Sequence, residues 1–120
     1  MYLDTLDYFA AVAERKAAMI RSHPLPFFVS AMMAGAYVGL GIILIFSVGA
    51  TLDPAWRRLV MGASFGIALT LVIFAGSELF TGHTMFMTIG WLRRRITGSD
   101  LAASWTLSWI GNLAGAAALA

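Results

Sequence analysis

Between Leu59 and Leu92 the chain runs for 34 residues with a single charged side chain, Glu78. No other feature limits the fold so strongly. A straight helix of that length would measure about 50 Å at 1.5 Å per residue, whereas the hydrocarbon core of a bilayer is about 30 Å thick. A break inside the run resolves the mismatch, and the signals for one lie in "GSELFTGHT", Gly76 to Thr84. The reading is a first half from 59 to 76, a non-helical loop near 77–82, and a short second half from 83 to 92.

The rest of the chain agrees with a membrane setting. Apolar residues make up 60% of the sequence and charged residues 12%, against about 25% charged in a soluble domain. An earlier apolar run opens after "SHPLP", where Pro24 and Pro26 are expected to interrupt the backbone, and predicts a spanning helix over about 27–48. "GATLDPAW" reads as a polar turn and "RRRITGSD" as a basic one. Ser99 or Asp100 is the expected cap of a third spanning helix over 101–120, still apolar where the sequence stops, which leads us to expect a chain that continues. Residues 1–22 differ in kind. Leu6, Phe9, Ala13, Ala17 and Ile20 recur at helical spacing, with Asp7, Glu14, Arg15 and Lys16 on other faces, and Asp4 or Thr5 as a cap. That pattern predicts an amphipathic helix on the membrane surface, followed by one membrane unit over 23–120.

The basic residues predict the topology. Arg15, Lys16 and Arg21 precede the first span, and Arg93, Arg94 and Arg95 follow the second, whereas only Arg57 and Arg58 lie in the intervening turn. The excess places the N-terminus in the cytoplasm. Gly35/Gly39, Gly62/Gly66 and Gly111/Gly115 each form a small-residue pair at four-residue spacing, which predicts close helix packing. The chain has no cysteine, and it shows no metal-ligand cluster, phosphate loop or nucleophile–base pair. We therefore expect no enzyme, no metal and no cofactor. The short basic clusters beside apolar runs are not the stripe that nucleic-acid binding requires.

Three stretches carry a resemblance: "AGAYVGLGIILIF" (34–46), "GSELFTGHTMF" (76–86) and "GNLAG" (111–115). They look like signatures of the formate/nitrite transporter family, closest to its bacterial nitrite channel branch. The resemblance implies an all-α, aquaporin-like bundle built from two inverted three-helix repeats, with a broken second helix. It implies a homopentamer in the bacterial inner membrane and a pore in each protomer. The permeant would be a small monovalent anion, nitrite or formate, with or without a coupled proton. This sequence matches only the first repeat, and the family's central pore histidine and conserved lysine belong to the second. His83 is not that histidine.

On the same resemblance, Leu79 and Phe80 correspond to the cytoplasmic constriction, Phe65 and Leu69 to the periplasmic one, and Thr81 to a hydroxyl facing the pore centre. The residues alone leave other roles open. Phe65, Leu69, Leu79 and Phe80 would otherwise face lipid or core. Thr81 would otherwise bond back to its own helix. A carboxylate lining an anion path repels the permeant, so Glu78 reads better as a structural acceptor paired with a buried donor. Gly82 and His83 would shape the loop, with proton transfer as the other use of His83. Asn112 reads as an interhelical hydrogen-bonding residue, and Trp91, Trp105 and Trp109 as interface aromatics. Two function classes stand at this point. One is an anion channel completed by a second half. The other is a small three-helix membrane protein with an assembly role, or a remnant without function.

Overall fold

The computed structural model describes residues 1–120 and is all helical. Its elements are α1 (Tyr2–Ser22), α2 (Pro24–Thr51), α3 (Pro54–Ala75), α4 (Phe80–Leu92) and α5 (Gly98–Leu119). Helices α2 and α3 are each long and apolar enough to cross a membrane. α2 lies at the centre, packed along both α3 and α5, while α1 lies against α4 and touches α5.

Several boundaries differ from the sequence expectation, each for a local physical reason. α2 begins at Pro24 rather than at 27, because both prolines fall in the first turn, where backbone N–H groups have no intrahelical partner to lose. Only His23 separates α1 from α2. α3 begins at Pro54 rather than 59, with Asp53 as its cap, accepting from the Ala55 N–H at 2.8 Å. α5 begins at Gly98 rather than 101. Its cap is Thr97, not Ser99 or Asp100, in a reciprocal capping box: the Asp100 N–H donates to Thr97 Oγ1 (3.2 Å) and the Thr97 N–H to Asp100 Oδ2 (2.9 Å). α1 begins at Tyr2, ahead of the proposed caps Asp4 and Thr5.

α3 stops where Gly76 adopts a left-handed conformation (φ 62°). The Gly76 N–H then bonds the Ile73 carbonyl (3.1 Å) and the Ser77 N–H the Val72 carbonyl (3.0 Å), a Schellman closure that glycine reaches without steric penalty. Residues 76–79 are non-helical and α4 starts at Phe80. Phe80, Thr81 and Gly82, expected in the loop, are thus the first turn of α4.

The close helix contacts are at α2 and α5. A Cβ added at Gly35 would sit 1.9 Å from the Asn112 carbonyl oxygen, and one at Gly115 would sit 1.8 Å from that of Met32. The third expected pair behaves otherwise: Gly62 and Gly66 have no neighbour within 4 Å of an added Cβ, so they pack against nothing in this chain. On α1 the buried face is Ala10, Ala13, Ala17 and Ile20. Ala13 and Ala17 form a cluster with Met87 and Ile96, and Phe9 stacks on Phe86 at 6.1 Å. Only 22 of the 120 residues are buried, and Leu59, Ile73 and Phe74 are each 66% or more exposed. So much open apolar surface marks a chain whose outer faces are covered by lipid or by further protein.

Candidate functional site

The end of α3, the segment 76–79 and the start of α4 enclose a concavity of about 470 Å³. Leu69 reaches it from α3, Glu78 and Leu79 from the segment, Thr81 and His83 from α4, and Lys16 from α1. Gly82 also borders it.

Beneath this surface lies a chain of polar side chains that runs from Lys16 through Glu78 and His83 to Ser104. Glu78 is buried. One of its carboxylate oxygens pairs with Lys16 Nζ, and the other accepts from His83 Nε2 at 2.8 Å. His83 Nδ1 meets Ser104 Oγ at 2.8 Å. If Nε2 carries the proton toward the carboxylate, Nδ1 is left as an acceptor and the Ser104 hydroxyl donates to it. The imidazole is held edge-on between Phe27 (5.2 Å) and Phe86 (5.8 Å). A carboxylate at this depth is tolerable because a cation and a hydrogen-bond donor both meet it. Its charge is therefore compensated within the chain, and an anion in the concavity does not face a bare negative group.

The amide end of α4 also opens here. The Phe80 N–H is bonded to Asn112 Oδ1 at 2.9 Å, and the His83 N–H to the Leu79 carbonyl. The Thr81 and Gly82 N–H groups have no backbone partner. Such a helix start carries partial positive charge and directed donors. The hydroxyls of Thr70, Thr84 and Thr88 all bond back to their own helix. That of Thr81 is exposed on the concavity without such a bond.

Of the residues singled out in the sequence, Leu69, Leu79, Thr81, Glu78, Gly82 and His83 come together at this one surface. Phe65 and Phe80 do not. Phe80 borders a separate hollow with Trp105 and Trp109 on α5, and Phe65 lies beside Gly41 on α2. Sequence reading missed two members of the site, Lys16 and Ser104. The sequence spacing puts Lys16 on a polar face of α1, yet it sits one turn from buried Ala13 and its side chain is only 27% exposed. Ser104, fully buried as the His83 partner, carried no local signal. Ser77 lies in the non-helical segment, as its sequence context leads one to expect, with a buried hydroxyl that has no partner.

Outside the apolar spans, α1 is fastened by charge. Asp7 pairs with Arg93, Glu14 with Arg95 and Arg21 with Asp100. Asp100 lies in the first, capped turn of α5, ahead of its apolar stretch, and the Arg21 guanidinium beside it holds its carboxyl down at about 2.

The formate/nitrite transporter family model matches residues 4–120. The nitrite transporters NirC of Salmonella typhimurium and Escherichia coli are each 58% identical to the chain over 115 residues, covering 96% of it and 43% of their own length. A probable formate transporter of Methanothermobacter thermautotrophicus is 39% identical over 119 residues, 94% of this chain and 42% of its own. A solved structure described as an FNT family ion channel superposes with a TM-score of 0.93 at 56% identity, covering 98% of this chain and 47% of the other. The chain therefore spans less than half the length of these relatives.

Proposed function

The chain belongs to the formate/nitrite transporter family, and from that premise we propose that it forms the first repeat of a membrane channel for small monovalent anions, nitrite foremost and formate next. In this reading α2, the pair α3–α4 and α5 are the three membrane elements of an aquaporin-like repeat. α3 and α4 are the two halves of a broken second helix, and irregular backbone at that depth is tolerated where it lines a cavity. α1 lies at the cytoplasmic face of a bacterial inner membrane, and the N-terminus is cytoplasmic by the distribution of basic residues. A second repeat closes the open side of the concavity, and the complete protein is a homopentamer.

The observation that carries the proposal is the concavity itself. Leu69 and Leu79 present apolar side chains, Thr81 an unengaged hydroxyl, and α4 its free amide end, all above a carboxylate whose charge Lys16 offsets. Apolar constrictions exclude hydrated ions. A neutral donor between them holds an oxyanion weakly enough for it to leave, whereas an apolar site alone would not offset the lost hydration. Thr81 is the binding residue of this half, and Leu69 and Leu79 are its barriers. Phe65 and Phe80 lie outside this concavity, and their place at the constrictions rests on the family resemblance alone.

Thr81→Val keeps the shape and removes the donor. A hydrogen bond to a charged group contributes about 1.5–3 kcal/mol, so the variant of the full-length transporter should lose roughly tenfold or more of its nitrite flux in proteoliposomes, while Thr81→Ser keeps most of it. Equal flux from Val and Thr would remove Thr81 from the path.

A further inference from the structure

The amide side chain of Asn112 spans a gap that the backbone leaves open. Its Nδ2 donates to the Ala31 carbonyl of α2 (2.8 Å) and to the Glu78 carbonyl (3.0 Å), while its Oδ1 accepts from the Phe80 N–H (2.9 Å). Both donor hydrogens and the acceptor are thus engaged. The Glu78 carbonyl and the Phe80 N–H belong to the two peptide groups that flank Leu79. One carboxamide from a different helix therefore grips the chain on either side of that residue. It satisfies one orphan N–H of the α4 start and one carbonyl of the non-helical segment, groups that otherwise lack a partner at membrane depth.

The helix packing explains how Asn112 arrives there. Gly35 lets the α5 backbone approach so closely that a methyl group would overlap the Asn112 carbonyl, and Gly111 and Gly115 meet Ala31 and Met32 one residue before and three after it. The three glycines serve one register, in which the Asn112 side chain reaches from α5 past α2 to the segment 76–79.

We infer that Asn112 is a positioning residue for the conduction path, fixing the backbone on both sides of Leu79 so that the Leu79 side chain and the α4 amide end face the same concavity. The inference rests on the transport reading above. It makes Asn112 more than a link between helices, because its bonds act on the segment that carries the barrier and the donor.

Two variants of the full-length transporter in proteoliposomes test this, with flux of nitrite and of the bulkier lactate followed from pH 8 to pH 5. Asn112→Leu removes all three bonds. It should lower nitrite flux about tenfold, or raise lactate leak relative to nitrite by a similar factor, in protein that still assembles. Asn112→Asp keeps the acceptor but turns a carboxylate toward two carbonyl oxygens. Protonation restores one donor, so this variant should recover flux on acidification beyond the wild-type profile. Glu78, His83 and Lys16, together with Tyr37 on α2 and Asp100 on α5, are the other titratable groups of the elements around it, and the wild-type profile accounts for them. Unchanged flux and selectivity in Asn112→Leu overturn the inference. If either variant fails to assemble, hydrogen exchange of the wild-type protein decides. The Phe80 amide should exchange at least about tenfold more slowly than those of Thr81 and Gly82, and equal rates overturn the proposal. A wild type that passes neither anion defeats the transport reading and leaves the exchange result standing.

Discussion

Removing Lys16 should destabilise the protein far more than its place on a surface helix implies. Lys16→Met keeps the aliphatic stem but leaves the Glu78 carboxylate, 6% exposed, with His83 as its one remaining partner. Breaking a buried ion pair by deleting one member costs about 3–5 kcal/mol. The Lys16 side chain is 27% exposed, so water softens the loss and the lower figure applies, about 3 kcal/mol. Glu78→Gln should cost less, about 1–2 kcal/mol, the range for an imperfectly replaced hydrogen bond. The Gln amide oxygen can face Lys16 while its NH₂ donates to His83 Nε2, because Ser104 Oγ serves the other imidazole nitrogen equally well as donor or acceptor. The double variant should therefore fall near Glu78→Gln alone, a coupling of about 3 kcal/mol, equal to the cost of Lys16→Met by itself. Equilibrium unfolding of the four proteins in mixed micelles gives the cycle. Additivity within about 0.5 kcal/mol, with a similarly small effect of Lys16→Met, would refute the claim that Glu78 depends on Lys16.

Gly35→Ala should abolish assembly outright, since the added methyl meets backbone rather than a movable side chain; size-exclusion chromatography of the detergent-extracted protein reads this directly. The Arg21–Asp100 pair predicts an acid limit. The Asp100 carboxyl is lowered from 3.8 to about 2 in the folded chain, so its stabilisation is complete above about pH 4 and is lost as pH falls toward 2. Melting temperatures from pH 6 to pH 2 should fall less steeply for Asp100→Asn than for the wild type, and parallel curves would remove the pair from the account. A cysteine at Thr51 should react with an impermeant thiol reagent in intact cells while one at Ser99 does not, and the reverse pattern would invert the topology.

Much of this architecture is visible in the sequence because it depends on local signals. Apolar run lengths, Pro54 after Asp53, and a lone glycine at the end of a long apolar stretch mark helix ends through backbone chemistry that acts within a few residues. The misplaced cap of α5 is a case of two local signals competing. Thr97 and Asp100 have the spacing of a capping box, but Ser99 and Asp100 are equally good cap residues in isolation, and only the geometry shows which is used. The start of α4 was not legible for another reason. Its first N–H is capped by Asn112, 32 residues away, so no property of "ELFTGH" places the helix start at Phe80. The same holds for Lys16, 62 residues from its partner, and for Ser104. Periodicity assigns a residue to a helix face, but it does not say what that face will meet. Phe80 follows Leu79 directly in sequence and yet borders a different hollow, because the step from extended backbone into helix rotates successive side chains apart.

Thiol modification at Thr81 tests the central claim most directly. Thr81→Cys in the full-length transporter, reconstituted in liposomes, should react with a small anionic methanethiosulfonate. Saturating nitrite should slow that reaction, and completed modification should block nitrite flux. A cysteine that reacts at the same rate with and without nitrite, or flux that survives full modification, would contradict the assignment of this concavity to the anion path.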